Sequence, residues 1–334
     1  MKESELLDVC NLKNSSFPTL YWPVEIYSFG KHIRKYAFYP KFLPICVYSD
    51  HSPGTFGNDI PKHELESDAP VQFYHSFERV KLFKKYSNKK CYGLYSPLVF
   101  YRKNNKINKL KDAKGTLFFL AHSTGFVDDI NDPKEYINDI NSIPEKFKPV
   151  SICLHSQDIL KNKHKPFIEN GFDVYCAGHY SNNDFAENFY KILRKFKYSS
   201  SNIIGAYTYY SIEMDIPFFI WGRKERFINS GEIGIKIGNF DPSDYCDTYK
   251  LHYKLFSSVS GVISRQQKDV SIECLGLKTG LGRFRMSFIL YKSYFYKYGL
   301  SVLWSFYKNI KFFKALKLKT RNNRYKIKKL FRLI

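Results

Sequence analysis

Histidine follows four segments that have the composition of buried β-strands. His51, His122, His155 and His179 each stand one to three residues after such a segment, beside serine, threonine or glycine. Ligands of open α/β sheets bind beyond the carboxyl ends of the strands. Imidazole, hydroxyl and backbone N–H groups at that edge donate hydrogen bonds to phosphate oxygens. One histidine at such a position is an ordinary loop residue, but four at equivalent positions predict a site for a phosphorylated ligand.

Acidic residues near two of these histidines are candidates for a general base. Asp50 precedes His51, and the two form a carboxylate–imidazole pair that suits removal of a proton from an alcohol. Asp128 and Asp129 follow His122 by six and seven residues and offer a second base. Spacing alone does not decide among Asp50, His51 and Asp128. The catalytic candidates are therefore Asp50, His51, His122 and Asp128.

Three serines precede a predicted helix in the second half of the chain. Residues 198–205 read YSSSNIIG, and a helix is expected over Gly205–Met214. The partial positive charge at a helix N-terminus favours a diphosphate, to which Ser200 and Ser201 would donate hydrogen bonds. The same residues also fit an ordinary helix cap.

Several motifs of other enzyme classes are missing. No GxxxxGK[ST] or GxSxG segment occurs, and no GxGxxG follows a predicted strand. Asp128 and Asp129 are adjacent rather than alternate, and the seven cysteines show no CxxC or CxxH spacing. We therefore expect no metal site and no cofactor, with reduced, buried cysteines in a cytoplasmic protein.

The predicted elements alternate between strands and helices, which is typical of parallel sheets with crossover helices. Strands are predicted at Leu43–Tyr48, Cys91–Leu94, Thr116–Ala121, Val150–Leu154, Asp173–Cys176, Asn202–Ile204 and Pro217–Ile220. Helices are predicted at Pro133–Asn141, Ser156–Asn170, Asp184–Phe196, Gly205–Met214, Ser243–Val259 and Val270–Leu275. The first three strands would form one half of the molecule and the last four a second half. The fold class is α/β, with two Rossmann-like domains facing each other across a cleft.

The segment 283–334 differs from the rest of the chain in charge. It contains 15 Lys and Arg and no Asp or Glu, while the whole chain has a formal net charge of +22. Apolar and aromatic residues recur every three or four positions through Ser287–Leu318, with lysines between them. Such a basic amphipathic helix suits the surface of an anionic membrane. The expected membrane contacts are Lys292, Trp304, Lys308, Lys311 and Lys314.

Two alternatives for this segment remain open, namely a helix packed on the body with a solvated basic end, and nucleic-acid binding.

The first residues of the chain, MKESELLDVC, lack an apolar signal core. No run approaches the ~18 uninterrupted apolar residues of a membrane-spanning helix. We therefore expect neither export by a signal peptide nor a membrane span.

The segment 147–222 resembles the nucleotide-sugar-binding half of GT-B glycosyltransferases from bacterial surface-polysaccharide clusters. In that family a Ser/Thr-rich loop opens a helix that contains an acidic residue, and a G-I-P-F/V-F strand follows. The matching residues are Ser200, Ser201, Asn202 and Gly205, then Glu213, then Ile216–Phe219, with Asp215 in place of the usual glycine. The resemblance extends over about Tyr21–Gly222 and places the acceptor loops in the first half of the chain. With the strand-end residues, the donor-binding candidates are His155, Ser156, Gly178, His179, Ser200, Ser201, Asn202, Gly205 and Glu213.

We therefore predict a metal-independent, inverting glycosyltransferase that moves a sugar from a nucleotide-sugar to a lipid-linked glycan. The resemblance implies O-antigen, capsule or lipooligosaccharide assembly, and the basic tail would hold the protein on the cytoplasmic face of the inner membrane. The expected units are an acceptor domain over 1–145, a donor domain over 146–282 and the basic tail over 283–334. A glycerophosphate-type or other phosphotransferase of the same fold, and a non-catalytic membrane- or nucleic-acid-binding protein, are the alternatives.

Overall fold

The computed structural model describes residues 1–14, 17–53, 58–121, 123, 126–231, 237–241 and 246–299. Its strands are β1 (Tyr48–Ser49), β2 (Val71–Tyr74), β3 (Lys90–Gly93), β4 (Thr116–Phe119), β5 (Val127–Asp129), β6 (Val150–Cys153), β7 (Val174–Tyr175), β8 (Tyr198–Ser201), β9 (Phe218–Ile220), β10 (Phe227–Asn229) and β11 (Gly238–Phe240).

The α-helices are α1 (Glu3–Asn11), α2 (Phe29–Tyr36), α3 (Lys62–Glu66), α4 (Phe77–Tyr86), α5 (Pro97–Asn104), α6 (Pro133–Asn141), α7 (Ser156–Leu160), α8 (Lys165–Glu169), α9 (Phe185–Leu193), α10 (Ala206–Glu213), α11 (Asp247–Phe256), α12 (Arg265–Cys274) and α13 (283–299). Short 3₁₀ helices lie at Trp22–Val24, Ile26–Ser28 and Glu145–Phe147.

Two parallel sheets and one small antiparallel sheet organise the described strands. The first parallel sheet has the order β1-β2-β3, and the second has the order β7-β6-β4-β8-β9. The antiparallel sheet has the order β11-β10-β5, and its strands were not predicted. Parallel sheets with crossover helices confirm the α/β class. The arrangement as two domains facing across a cleft, with the boundaries given above, stays a prediction.

The expectation that Thr116–Ala121 belongs to the first half of the molecule is wrong. β4 lies at the centre of the second sheet, where it pairs with β6 on one side and β8 on the other. Its side chains alternate between two core clusters, with Leu117 and Phe119 in one and Phe118 in the other. A strand covered on both faces is a continuous apolar run, and such a run does not identify its neighbours.

The position of the strand near the three serines also differs from the prediction. The strand predicted at Asn202–Ile204 lies four residues earlier, as β8, so the serines are inside the sheet. Ser200 Oγ donates to the carbonyl of Phe219 at 2.8 Å, which satisfies the buried hydroxyl within the sheet. β2 was missed, and the helix predicted over Ser156–Asn170 is divided into α7 and α8. α6 has the predicted bounds, with Asp132 as its side-chain N-cap and a proline at its start.

The last described helix, α13, packs on the body of the protein. Met286, Ile289 and Leu290 are buried in the main core cluster. At the start of the helix Arg283 Nε donates to the carbonyl of Tyr36 at 2.8 Å. The packing alternative therefore holds for residues 283–299. Of the expected membrane contacts, Lys292 lies on α13, while Trp304, Lys308, Lys311 and Lys314 lie outside the described residues. Among the described helices, none combines the length and the apolar character that a membrane crossing requires.

Candidate functional site

The carboxyl ends of the two parallel sheets meet at one hollow of about 340 Å³. The lining residues that follow strand ends are His51 after β1, Ala121 after β4, His155 after β6 and Gly205 after β8. Two of the four predicted histidines thus line the same hollow. Because α/β proteins bind their ligands at this edge of the sheet, we take the hollow as the candidate active site.

Seven tyrosine and phenylalanine residues line the hollow. They are Tyr27, Phe29, Phe185, Phe189, Tyr207, Tyr210 and Phe227. Tyr207 is held flat by stacking on Phe119, with ring centres 4.4 Å apart, and its hydroxyl is 2.9 Å from Ser201 Oγ. Burial raises the pKa of Tyr207 far above its ordinary value, so the ring stays neutral. Fixed neutral rings of this kind stack against a planar base or the apolar face of a sugar.

Helix α10 begins at the hollow. Gly205 is its N-cap, and the hollow is lined by Gly205, Ala206 and Tyr207. The first N–H groups of a helix point out of its N-terminus and carry its partial positive charge, so they favour an anion. A Cβ at position 205 would lie 2.6 Å from the ring of Tyr207, which packing on Phe119 holds in place. The close approach of backbone and ring therefore requires glycine.

His155 also lines the hollow, and its contacts indicate which ring nitrogen carries the proton. It is the N-cap of α7, and its Nδ1 accepts from the backbone N–H of Gln157 at 3.3 Å. A neutral imidazole that accepts at one nitrogen carries its proton on the other, so Nε2 is the donor. The ring lies 6.4 Å from that of Tyr27, which lines the hollow.

The predicted pair of Asp50 with His51 does not form. Asp50 is buried and binds His75, with Oδ1 2.7 Å from Nδ1 and Oδ2 accepting from the His75 backbone N–H at 3.1 Å. His51 is exposed, and its ring lies 5.7 Å from that of Trp22. Both residues lie beyond the end of β1, and the chain bends at His51, which leaves Asp50 in the interior and His51 at the surface.

His75 is a functional candidate that the sequence analysis missed. It is fully buried, its ring lies 5.4 Å from Phe29, and its Nε2 has no hydrogen-bond partner among the described residues. Phe29 lines the hollow, so the Asp50–His75 pair stands behind that wall. His75 directly follows the strand VQFY, so the rule applied to the other histidines, a position just after a strand, would have identified it.

Glu213, Ser200 and Ser201 are not among the residues that line the hollow. Glu213 is the last residue of α10, and it binds Arg102 through two hydrogen bonds of 2.6 and 2.7 Å. Burial raises the pKa of Glu213, against the lowering effect of Arg102. Ser200 and Ser201 are buried within β8. The helix that the resemblance predicted does begin at Gly205, and these three side chains have partners within the protein. Their part in donor binding stays a prediction.

The remaining donor candidates are buried around the second sheet. Gly178 has a φ of +107°, and a Cβ there would approach Val9 of α1 at 3.1 Å. His179 is buried beside it, its Nδ1 accepts from the Ser181 N–H at 3.1 Å, and burial lowers its pKa. Ser156 is buried at the start of α7. None of these side chains lines the hollow as the structure describes it.

Asn202 and the predicted second base lie outside the hollow as well. Asn202 is buried and donates to the hydroxyl of Tyr136 at 3.3 Å. Asp128 lies on β5 and pairs with Lys161 at 2.5 Å, and this hydrogen bond lowers its pKa. His122 lies outside the described residues. Within the described ranges, no three His, Cys, Asp or Glu side chains come together as a metal site.

No protein-family model and no curated protein matches this chain. Among solved structures, this chain is similar to the wall teichoic acid polymerase TagF. The alignment covers 89% of this chain and 93% of the TagF chain, with 10% sequence identity and a TM-score of 0.39. A TM-score this low does not establish a common fold.

Proposed function

We propose that the hollow binds a nucleotide-activated sugar and that the protein is a glycosyltransferase. One observation carries the proposal: strand ends of both parallel sheets meet at a hollow that combines aromatic walls, two histidines and a helix N-terminus. The walls suit the base or sugar ring, and the helix N-terminus suits the diphosphate. The expected acceptor is a lipid-linked glycan of a bacterial surface polysaccharide.

The diphosphate of the donor would lie between α10 and α7. The N-terminus of α10 at Gly205 supplies backbone N–H groups, and His155 supplies its Nε2 donor. Both are fixed before the ligand arrives, since Gly205 is packed against Tyr207 and His155 is held by the Gln157 amide. Preorganised donors stabilise the negative charge that develops on a departing diphosphate.

His51 is the base that the geometry favours. It lines the hollow, whereas Asp50 is buried and occupied by His75. In the proposed reaction His51 takes the proton of the acceptor hydroxyl, and the acceptor oxygen forms a bond to the anomeric carbon. The bond from that carbon to the diphosphate oxygen breaks, and the nucleoside diphosphate leaves with the electron pair. A single displacement of this kind inverts the anomeric configuration.

Calorimetry with UDP, GDP, CMP, dTDP and CDP tests the donor site. We expect one nucleotide to bind, and His155→Ala and Gly205→Ala each to weaken it by roughly tenfold to a hundredfold, as for the loss of a charge-assisted hydrogen bond. His63→Ala is the matched control, because His63 is exposed on α3 and does not line the hollow. If no nucleotide binds, or if His155→Ala binds as tightly as His63→Ala, the proposed donor site is wrong.

Product analysis separates the reaction from that of the phosphotransferase alternative. The proposed reaction releases a nucleoside diphosphate from a nucleotide-sugar, while a glycerophosphate transferase releases CMP from CDP-glycerol. We expect the first product and expect His51→Ala to lose it while nucleotide affinity is kept. Turnover of CDP-glycerol alone would assign the hollow to the other reaction.

A further inference from the structure

Helix α13 has two chemically different faces. Its inner face packs on the body through residues such as Met286 and Leu290, which are 1% and 0% exposed. On its outer face Phe284, Phe288 and Tyr296 are 83%, 66% and 77% exposed. Successive members of this set are four and eight residues apart, so they follow one another along the exposed side of the helix. Large aromatic side chains this exposed on a packed helix indicate a surface that another apolar phase covers.

A cationic groove of about 380 Å³ runs between α13 and the first sheet. Lys90 and Lys292 line it, and neither has an acidic partner among the described residues. Asp68 also lines it, but that carboxylate is bound by Lys297 and by the hydroxyl of Tyr21. The groove therefore keeps a net positive charge.

The groove contains a buried hydroxyl group that has no hydrogen-bond partner among the described residues. Ser293 faces the body from α13 and is only 2% exposed, yet its hydroxyl makes no hydrogen bond among the described residues. It lines the groove together with Lys90, Lys292 and the aromatic residues Tyr92 and Phe288. A hydroxyl and two ammonium groups next to apolar rings match a phosphate joined to an apolar chain.

This groove is separate from the hollow. Lys90 begins β3 and Val71 begins β2, and both line the groove. His51 follows the end of β1, which runs parallel to β2, and it lines the hollow. The two sites therefore lie at opposite ends of the first sheet.

We propose that the outer face of α13 is a membrane-binding surface and that the groove beside it holds the phosphate of an anionic phospholipid. Phe284, Phe288 and Tyr296 would enter the interface between headgroups and acyl chains, with Lys90 and Lys292 on the phosphate. A membrane fits better than a soluble anion, because the chain continues from α13 into residues 300–334 with 11 more Lys and Arg and no Asp or Glu. The proposal does not depend on the transferase activity.

Co-sedimentation of the full chain with vesicles tests this surface. The vesicles contain phosphatidylcholine alone, or phosphatidylcholine with about one third phosphatidylglycerol. We expect the parent to pellet with the anionic vesicles, and Lys90→Gln with Lys292→Gln to weaken the binding by roughly 20- to 30-fold. The charge-matched control is Lys250→Gln with Lys254→Gln on α11, which should bind as the parent does. Equal binding by both pairs of variants would overturn the proposal, because residues 300–334 would then suffice.

A second measurement reports on the exposed aromatic residues directly. Tryptophan fluorescence of Phe288→Trp should be quenched by brominated acyl chains, while that of Leu251→Trp, at an exposed apolar position of α11, should not. The parent supplies the background of its three native tryptophans. Quenching no greater than in the parent would place the outer face of α13 away from the membrane. Competition with free inorganic phosphate tests the groove itself. If phosphate releases the parent protein from vesicles but does not release the Lys90→Gln, Lys292→Gln variant, the result would support the groove as the phosphate site.

Discussion

Replacement of Glu213 by glutamine distinguishes a structural role of this residue from a role in donor binding. Its carboxylate makes hydrogen bonds of 2.6 and 2.7 Å with the guanidinium of Arg102, and the two side chains are only 6% and 11% exposed. Glu213 ends α10, eight residues after the Gly205 cap, so about 12 Å of helix separates it from the helix N-terminus at which the diphosphate would bind. We therefore expect Glu213→Gln to lower stability and to leave nucleotide binding unchanged.

The size of the effect follows from the charge that is left behind. Arg102 stays protonated at every accessible pH, so the variant has a buried guanidinium opposite a neutral amide. Removal of one partner from a buried ion pair lowers the free energy of unfolding by about 3–5 kcal/mol. Glutamine keeps one acceptor oxygen, which places the expected loss near 3 kcal/mol, the lower end of that range.

Urea unfolding followed by circular dichroism measures the loss, and calorimetry with the bound nucleotide measures the affinity. The matched control is the double variant Arg102→Met with Glu213→Leu, which removes both charges and should lose less stability than Glu213→Gln alone. A loss below about 1 kcal/mol, as for an exposed pair, would refute the structural role. Weaker nucleotide binding at unchanged stability would restore Glu213 to the donor site.

Two further predictions concern buried polar side chains. Burial lowers the pKa of His32 from 6.5 to about 3, so between these values the unfolded chain binds more protons than the native state, and stability falls as the pH drops. The native protein should lose about 1.4 kcal/mol of unfolding free energy per pH unit through His32. His32→Phe keeps an aromatic ring beside Tyr101 and should abolish this loss, as measured by urea unfolding at about pH 7 and pH 5. Ser200→Ala should lose about 1 kcal/mol with its hydrogen bond to Phe219, and calorimetry should find its nucleotide affinity equal to the parent's.

The positions of hollow-lining residues relative to the strands could be predicted from the sequence. β4, β6 and β7 lie within the predicted segments, and the residues after β4 and β6 do line the hollow. His155 was found in this way, and Gly205 was found as the start of a helix. Both are local features, because strand ends and helix starts are recorded in short runs of residue types.

The pairing of side chains was not accessible in the same way. Asp50 was expected to act with its neighbour His51, but it binds His75, which is 25 residues away. Glu213 was matched to a donor site, but its partner Arg102 lies on α5. Nothing in a single sequence states which distant residue a buried carboxylate will meet.

The sequence by itself determined the α/β class, the residues that end the strands and the concentration of positive charge after residue 282. The tertiary structure alone decided that β4 belongs at the centre of the second sheet, that the serines of β8 are buried and that α13 packs on the body through one face. The physical reason is that hydrogen-bonding capacity and apolar periodicity are local properties of the chain. Burial depends on which distant segments cover a residue, and a hydroxyl that suits a ligand suits a neighbouring carbonyl equally well.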